Sequence, residues 1–210
     1  MSRVVRWSAG AAPPVDDVAD VVSTAGGVAL VPTDTVYGLA ARISDEAAIA
    51  RIFSLKDRPA ERSIPVLVAS LPQAEMLADL DDVERHVAET MWPGPLTLIL
   101  RARRESPVSD AAGTVGVRCP DHVLIRRIAE RVGPLAVTSA NRHGEPTPHS
   151  VDAAAAMLTG DVDLVVDGGD CAGEASTVVR VSPGLTVLRT GAVGIEELEV
   201  VMERLGRADP

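Results

Sequence analysis

At 210 residues the chain is long enough to bury the core of a sizeable domain, and its net charge of −10 argues against a general nucleic-acid-binding surface, which reads basic. Apolar residues make up 46% and aromatics only 2%, so the core must be aliphatic and platforms for stacking bases are scarce. No apolar run approaches the roughly 18 residues of a membrane span. The N-terminal MSRVVRWSAGAAPP lacks an apolar signal core. Cys119 and Cys171 have no metal-ligand spacing and are too few for a disulfide framework. These features read as a soluble, cytoplasmic chain with two free thiols.

Val15, Val18, Val21 and Val22 recur at helical spacing, which predicts an amphipathic helix over 14–25 that Gly26-Gly27 stops. Val28–Val31 is a short all-apolar run of the kind that forms a buried strand. It breaks at Pro32 into Thr33-Asp34-Thr35 before Gly38, a pattern expected to bring polar side chains to the rim of an α/β sheet. Ser44-Asp45-Glu46 signals a helix start, and that helix should end near Arg58-Pro59. Strands are expected at 64–68, 96–101, 114–118, 134–138, 163–167, 177–181 and 186–189. Helices are expected at 72–78, 82–91, 121–132, 151–158 and 195–205. Trp92-Pro93-Gly94-Pro95 must be a rigid turn. Some connections are too short for crossover helices, so the fold is read as one α/β domain over 1–210, with a twisted mixed parallel/antiparallel sheet flanked by helices.

Four strand ends carry the chemistry. Val31 leads to Thr33-Asp34-Thr35, Val117 to Arg118, Val137 to Thr138-Ser139-Ala140-Asn141, and Leu188 to Arg189. Guanidinium forks, hydroxyls and backbone N–H groups together suit an anionic ligand. Lys56 is the single lysine among twenty Lys and Arg residues, and its compact point charge beside Arg58 stands out in a chain so biased towards arginine. Neither standard nucleotide loop, nor a G-x-S-x-G elbow, nor H-E-x-x-H spacing is present. Cys119 beside Arg118 is a candidate for a depressed pKa but has no adjoining His or Asp base. His143 and His149 sit in the loop RHGEPTPHS and read as surface residues, as does His86 in a charged helix.

The ordered series PTDTVYGL, K-x-R-P, WPGPLTLIL, VGVRCPDH, PLAVTSAN with GEPTP, STVVR and LRTGAV resembles the YrdC-like family of threonylcarbamoyl-AMP synthases, in its short single-domain form, with a matching core over about 15–205. The resemblance implies a YrdC-like fold. It also implies that L-threonine, bicarbonate and ATP give L-threonylcarbamoyl-AMP and pyrophosphate, for a tRNA-modifying transferase complex acting on the adenosine beside the anticodon. Matched to the family's motifs, Lys56 and Arg58 are implied to be catalytic and to hold the triphosphate. Thr114, Ser139, Asn141, Thr147 and Arg189, with Arg58, are implied to bind ATP. Thr35, Arg118, Ser176 and the backbone of Val137 are implied to bind threonine, with Asp34 fixing the turn. Mg²⁺ would arrive with the nucleotide, with no dedicated protein metal site.

The sequence departs from longer relatives at two places: a histidine after K-x-R-P is replaced at the comparable positions by Leu67 and Val68, and the segment between, AERSIPVL, carries an extra residue or different polar groups. Two other functions stay open, an RNA- or tRNA-binding module without chemistry of its own and a paralogue activating another carbamoyl compound. A weak RNA contact, and either a monomer or a homodimer, are compatible with the main reading. The arginines also have bland alternatives, Arg118 pairing with Asp121 and Arg189 with an acid such as Glu196.

Overall fold

The computed structural model describes residues 2–8, 10–57, 63–142, 145–171 and 173–207. In chain order the elements are β1 (Arg3–Arg6), α1 (Val15–Ser23), β2 (Ala29–Val31), β3 (Gly38–Arg42), α2 (Glu46–Leu55), β4 (Val66–Leu67), α3 (Leu71–Glu75), β5 (Ala78–Asp79), α4 (Asp82–Met91), β6 (Leu96–Ala102), β7 (Thr114–Arg118), α5 (Val123–Val132), β8 (Leu135–Ser139), α6 (Val151–Ala156), β9 (Leu164–Asp167), β10 (Thr177–Arg180), β11 (Thr186–Arg189) and α7 (Ile195–Arg207). Among the described residues all the strands join one mixed sheet, ordered β1-β9-β2-β3-β8-β4-β7-β6-β10-β11, with β5 on β6.

Period-two alternation sends the side chains of each strand to opposite faces, and the two faces end differently. On one face Leu30, Leu39, Val117, Leu98 and Val179 pack under α2, α4, α6 and α7. On the other, Ala29, Val31, Ala40 and Leu135 pack under α1 and α5, through Val18, Val22, Leu124, Ile125 and Ile128. These two helices serve the β9-β2-β3-β8-β4 half. Beyond it, Thr97, Ile99, Gly116 and Val178 of β6, β7 and β10 face a cavity instead of a helix. That half-covered face holds the candidate site.

Three strands were not legible in the sequence. β1 adds to β9 in parallel register (Val4↔Val165). β3, with the weak strand sequence GLAAR, is held between β2 (Leu30↔Leu39) and β8 (Ala40↔Val137). Pairing on both edges overrides its low β-propensity. The helix expected over 72–78 stops at Glu75, and Ala78–Asp79 pairs with Ala102 and Arg101. The helix expected to run to about 58 ends at Leu55, and Asp57 turns the chain with φ +50°, the left-handed position that commonly follows a helix.

The expected rim is also corrected. β4 lies antiparallel to β8 and parallel to β7, so β7 runs opposite to β8 and its end at Arg118 aligns, through Leu67, with the start of β8 at Leu135. The four strand ends therefore meet over the face of the sheet and do not share one carboxyl edge.

Tyr37 closes the layer above β3. It is fully buried, donates to Gly169 O (2.6 Å) and accepts from Gly168 N (3.1 Å), and burial pushes its phenol up to about 12. Tyr37→Phe leaves two backbone groups without a partner and should lower unfolding free energy by about 1–3 kcal/mol in urea titrations. The unfolded phenol ionises first, near pH 10, so stability should fall as pH rises from about 10 to about 12. Tyr37 is the single tyrosine, so tyrosinate absorbance, followed in the native protein and lost in the Tyr37→Phe variant, checks the assignment.

Candidate active site

A cavity of about 410 Å³ opens over the uncovered half of the sheet. Register builds its floor. Arg189 pairs with Val178, Val178 with Thr97, and Leu67 with Arg118, while Leu98↔Val117 lies one step from Thr97 and Arg118. Cationic and hydroxyl side chains are thus set in one row across adjacent strands. Gly116 lowers the middle of the floor: a Cβ there would come within 3.4 Å of Thr97 and Ile99.

Arg118 is the most constrained of these side chains, at 5% exposure. Its Nε donates to Gly94 O (3.0 Å), Nη1 to Thr35 Oγ1 (3.2 Å) and Nη2 to Asp34 Oδ1. The WPGP turn is matched to this role, since Gly94 N also donates to Cys119 O (2.9 Å) and a Cβ at Gly94 would lie 2.5 Å from Met91 O. The partner of Arg118 is therefore Asp34, not Asp121, whose carboxylate lies 4.0 Å from Arg126. Nor does Asp34 fix its own turn: its second oxygen accepts from Asp121 N (3.1 Å), joining the β2–β3 loop to the start of α5. The turn is fixed by Thr33, whose Oγ1 accepts from Thr35 N (3.2 Å) and Val36 N (3.1 Å).

Arg189 bonds Ser176, through Nε and Nη2 to its carbonyl (3.1 and 2.8 Å) and through Nη2 to Oγ (3.0 Å), and has no contact of this kind to Glu196. Burial, and secondarily Arg118, push its guanidinium below the ordinary value. Ser176 Oγ also meets Thr97 Oγ1 at 2.9 Å. The LRTGAV segment holds this corner: Ala192 N donates to Ala175 O (3.0 Å), and a Cβ on Gly191 would lie 2.1 Å from the same oxygen. Only glycine permits that approach.

Lys56, 3% exposed, follows the last residue of α2. Asp45 caps the start of the helix (Ala48 N to Oδ1, 2.9 Å), and Arg51 ties its flank to Gly26 O (2.9 Å) and Asp163 (2.5 Å). Lys56 Nζ donates to Thr138 Oγ1 (3.0 Å) and to Ser139 O. Ser139 Oγ in turn donates to Asn141 Oδ1 (2.5 Å).

Of the residues singled out from sequence, Lys56, Ser139, Asn141, Arg189, Thr35, Arg118, Val137 and Ser176 all line this cavity. Thr114 and Thr147 do not. Thr114 shares the face of Gly116 and Arg118, but its hydroxyl donates to Asp110 Oδ2 (2.6 Å). Val137 lines the wall with its N–H already given to Pro65 O (2.9 Å). Arg58 and His143 lie outside the described residues. His149 is exposed, with Nδ1 2.8 Å from Cys171 O, and is not a lining residue. Leu67 lines the cavity whereas Val68 packs in the opposite core, so Leu67 occupies the place that matters. Cys119 is corrected in sign: burial raises its pKa despite Arg118. Thr33 and Thr138, which the strand-end pattern left without a role, also line the cavity, and so does Thr97, which sequence reading missed. A lone threonine in an apolar strand, as in LTLIL, was the available signal for Thr97.

Residues 22–191 match the Sua5/YciO/YrdC family model, which carries the description telomere recombination. The chain belongs to the Sua5/YciO/YrdC family. It is 37% identical over 183 residues to the threonylcarbamoyl-AMP synthase of Pyrococcus abyssi, covering 84% of this chain and 54% of that protein. It is 35% identical over 182 residues to the Bacillus subtilis enzyme of the same name, covering 83% and 53%. The crystal structure of P. abyssi Sua5 complexed with L-threonine superposes with a TM-score of 0.84 at 32% identity, over 96% of this chain and 60% of that one. The chain thus spans about half the length of these curated relatives. Among the described residues no helix is long and apolar enough to cross a membrane.

The buried Arg118–Asp34 pair links three loops, and removing one partner strands a charge. Asp34→Ala should lower stability by roughly 3–5 kcal/mol, whereas Asp34→Ala combined with Arg118→Leu should recover much of the loss. Chemical denaturation of both variants reads this directly, and equal losses in the two would show that the pair is not coupled.

Proposed function

We propose that the protein is an L-threonylcarbamoyladenylate synthase acting in the cytoplasm. The observation that carries this reading is the convergence of Lys56, Arg118 and Arg189 on one cavity that no described carboxylate lines. A ligand with several negative charges is what such a site can hold. The threonine complex of the P. abyssi relative supports an amino acid as the second occupant.

Arg118 takes the carboxylate of L-threonine. Three of its donors are committed to Gly94, Thr35 and Asp34, and the five N–H groups of a guanidinium leave two for a ligand. Thr35, Ser176 and the wall at Val137 complete that subsite, with Leu67 contributing apolar surface where longer relatives carry a histidine. The threonine amine adds to CO₂ derived from bicarbonate, losing a proton, to give an N-carboxylate. One oxygen of that group attacks the α-phosphorus of ATP, the bond from this phosphorus to the β-bridging oxygen breaks, and pyrophosphate leaves. Lys56 and Arg58 offset charge at the phosphates, while Ser139, Asn141 and Arg189 seat the nucleotide. Thr114, in β7, and Thr147 stand outside the lining of this cavity. Positioning and fixed cationic charge are the means of catalysis here, without an acid–base pair.

Mg²⁺ would enter with ATP and would supply neutralisation of phosphate charge, since the cavity residues offer neutral groups such as Ser139 and Asn141 and cationic ones, and not a carboxylate cage. The product passes to a transferase complex that modifies tRNA.

Pyrophosphate release should require L-threonine, bicarbonate and Mg-ATP together. Release without threonine would favour a paralogue acting on another carbamoyl compound. No release, with salt-sensitive binding of short RNA, would favour the RNA-binding alternative. Lys56→Ala should lower turnover roughly 10²–10³-fold, as loss of one preorganised electrostatic group does. Arg118→Ala should raise the KM for threonine more than that for ATP, and the reverse order would assign the two subsites the other way round.

A further inference from the structure

Thr97 stands in β6, a strand paired on both edges, to β10 (Thr97↔Val178) and to β7 (Leu98↔Val117). It is 1% exposed, yet it lines the cavity. Among the described residues its hydroxyl meets one partner, Ser176 Oγ, at 2.9 Å. Arg189 is held less firmly. It lies on β11, at the edge of the sheet, and its hydrogen bonds to described residues all end on Ser176, two on the carbonyl and one on Oγ. Ser176 Oγ is therefore shared between a fixed residue of a central strand and a guanidinium of an edge strand. A hydroxyl has one proton and two lone pairs, and a guanidinium can only donate, so Arg189 takes one lone pair. Thr97 takes either the second lone pair or the proton. In both cases one bonding position of the Ser176 hydroxyl is left for a ligand in the cavity.

We propose that Thr97 is a positioning residue that links the amino-acid and nucleotide subsites by holding the Ser176 hydroxyl against Arg189, so that each ligand binds more tightly once the other is in place. A ligand that bonds Ser176 stiffens the same side chain on which Arg189 rests, and the guanidinium is then already ordered when phosphates arrive. Freedom lost in the first binding step is not lost again in the second, which is positive cooperativity. The effect must be equal in both directions, because coupling between two binding steps is reciprocal. The link rests on the assignment of Ser176 to threonine and of Arg189 to ATP proposed above, in which Thr97 has no part.

Calorimetric titration of the full chain with L-threonine, alone and in saturating α,β-methylene-ATP with Mg²⁺, tests the link, since this analogue cannot release pyrophosphate. The readout is the ratio of the two threonine affinities. In the unaltered chain the analogue should tighten threonine binding about five- to tenfold, the low end of couplings between sites. Thr97→Val keeps the shape and suits a strand but removes the hydroxyl, and it should bring the ratio close to unity. Thr97→Ser retains the hydroxyl and should keep the wild-type ratio. A valine that merely disturbed the cavity floor would weaken threonine binding equally with and without the analogue, and that unchanged ratio would overturn the proposal. Should Thr97→Val melt below the titration temperature, Thr97→Ala should show the same loss of coupling, and a wild-type ratio there would overturn the proposal equally. If the unaltered chain binds both compounds without coupling, the link alone fails. If it fails to bind either one, the synthase reading itself fails and takes the link with it.

Discussion

The Arg118 guanidinium is the point on which the rest of the site depends. It is a planar cation held below the surface, and its committed donors end on two different segments: Gly94 in the WPGP turn, Thr35 and Asp34 in the β2–β3 loop. Burying a charge is costly unless it is paired and hydrogen-bonded on several sides. Those segments are therefore coupled, because each removes part of that cost. Asp34 extends the coupling through its second oxygen to Asp121 N, where α5 begins. A lysine at 118 could not reproduce this, since its point charge lacks the rigid fork.

Around that anchor, close backbone approach decides where the remaining side chains can stand. Gly191 lets Ala175 and Ser176 lie against the chain after β11, which puts Ser176 under Arg189. A Cβ on Gly173 would come within 2.8 Å of Thr35, so the loop before β10 presses on the β2–β3 loop from the other side. Gly38 meets Val137 in the same way, at 2.7 Å. The small residues scattered through the motifs are thus steric permissions for one packing arrangement. The hydroxyls and cations then act from a frame with little freedom to rearrange.

Sheet coverage explains why a cavity exists at all. α1 and α5 occupy one half of a face with Leu124, Ile125 and Ile128, and the strands beneath them carry Ala29, Ala40 and Leu135. On the other half the same alternation delivers Thr97, Gly116 and Arg118. Such a row would be a poor bed for an apolar helix, and it is a good one for a polar anion. The opposite face shows no such change of character, and Leu96, Leu98 and Leu100 pack there throughout.

Much of this was legible in the residues alone, for physical reasons that differ by element. Apolar periodicity marks α1, α4 and α5 because the 3.6-residue repeat must face a core wherever that core lies. The capping pair Asp81 and Glu84 marks the start of α4 through contacts three residues apart (2.8 and 2.9 Å). The WPGP turn and the single lysine are equally local signals. β3, β5 and β1 were hidden because GLAAR, AD and RVVR become strands only through their neighbours. The sequence by itself determined the α/β class, the family resemblance and the cationic side chains that line the cavity, Lys56, Arg118 and Arg189, since these rest on local pattern and residue chemistry. Only the tertiary structure decided that Arg118 pairs with Asp34 eighty-four positions away, that Thr114 turns to Asp110, and that Leu67 and not Val68 meets the cavity. Pairing partners, register and facing are set by long-range packing, which no window of sequence contains.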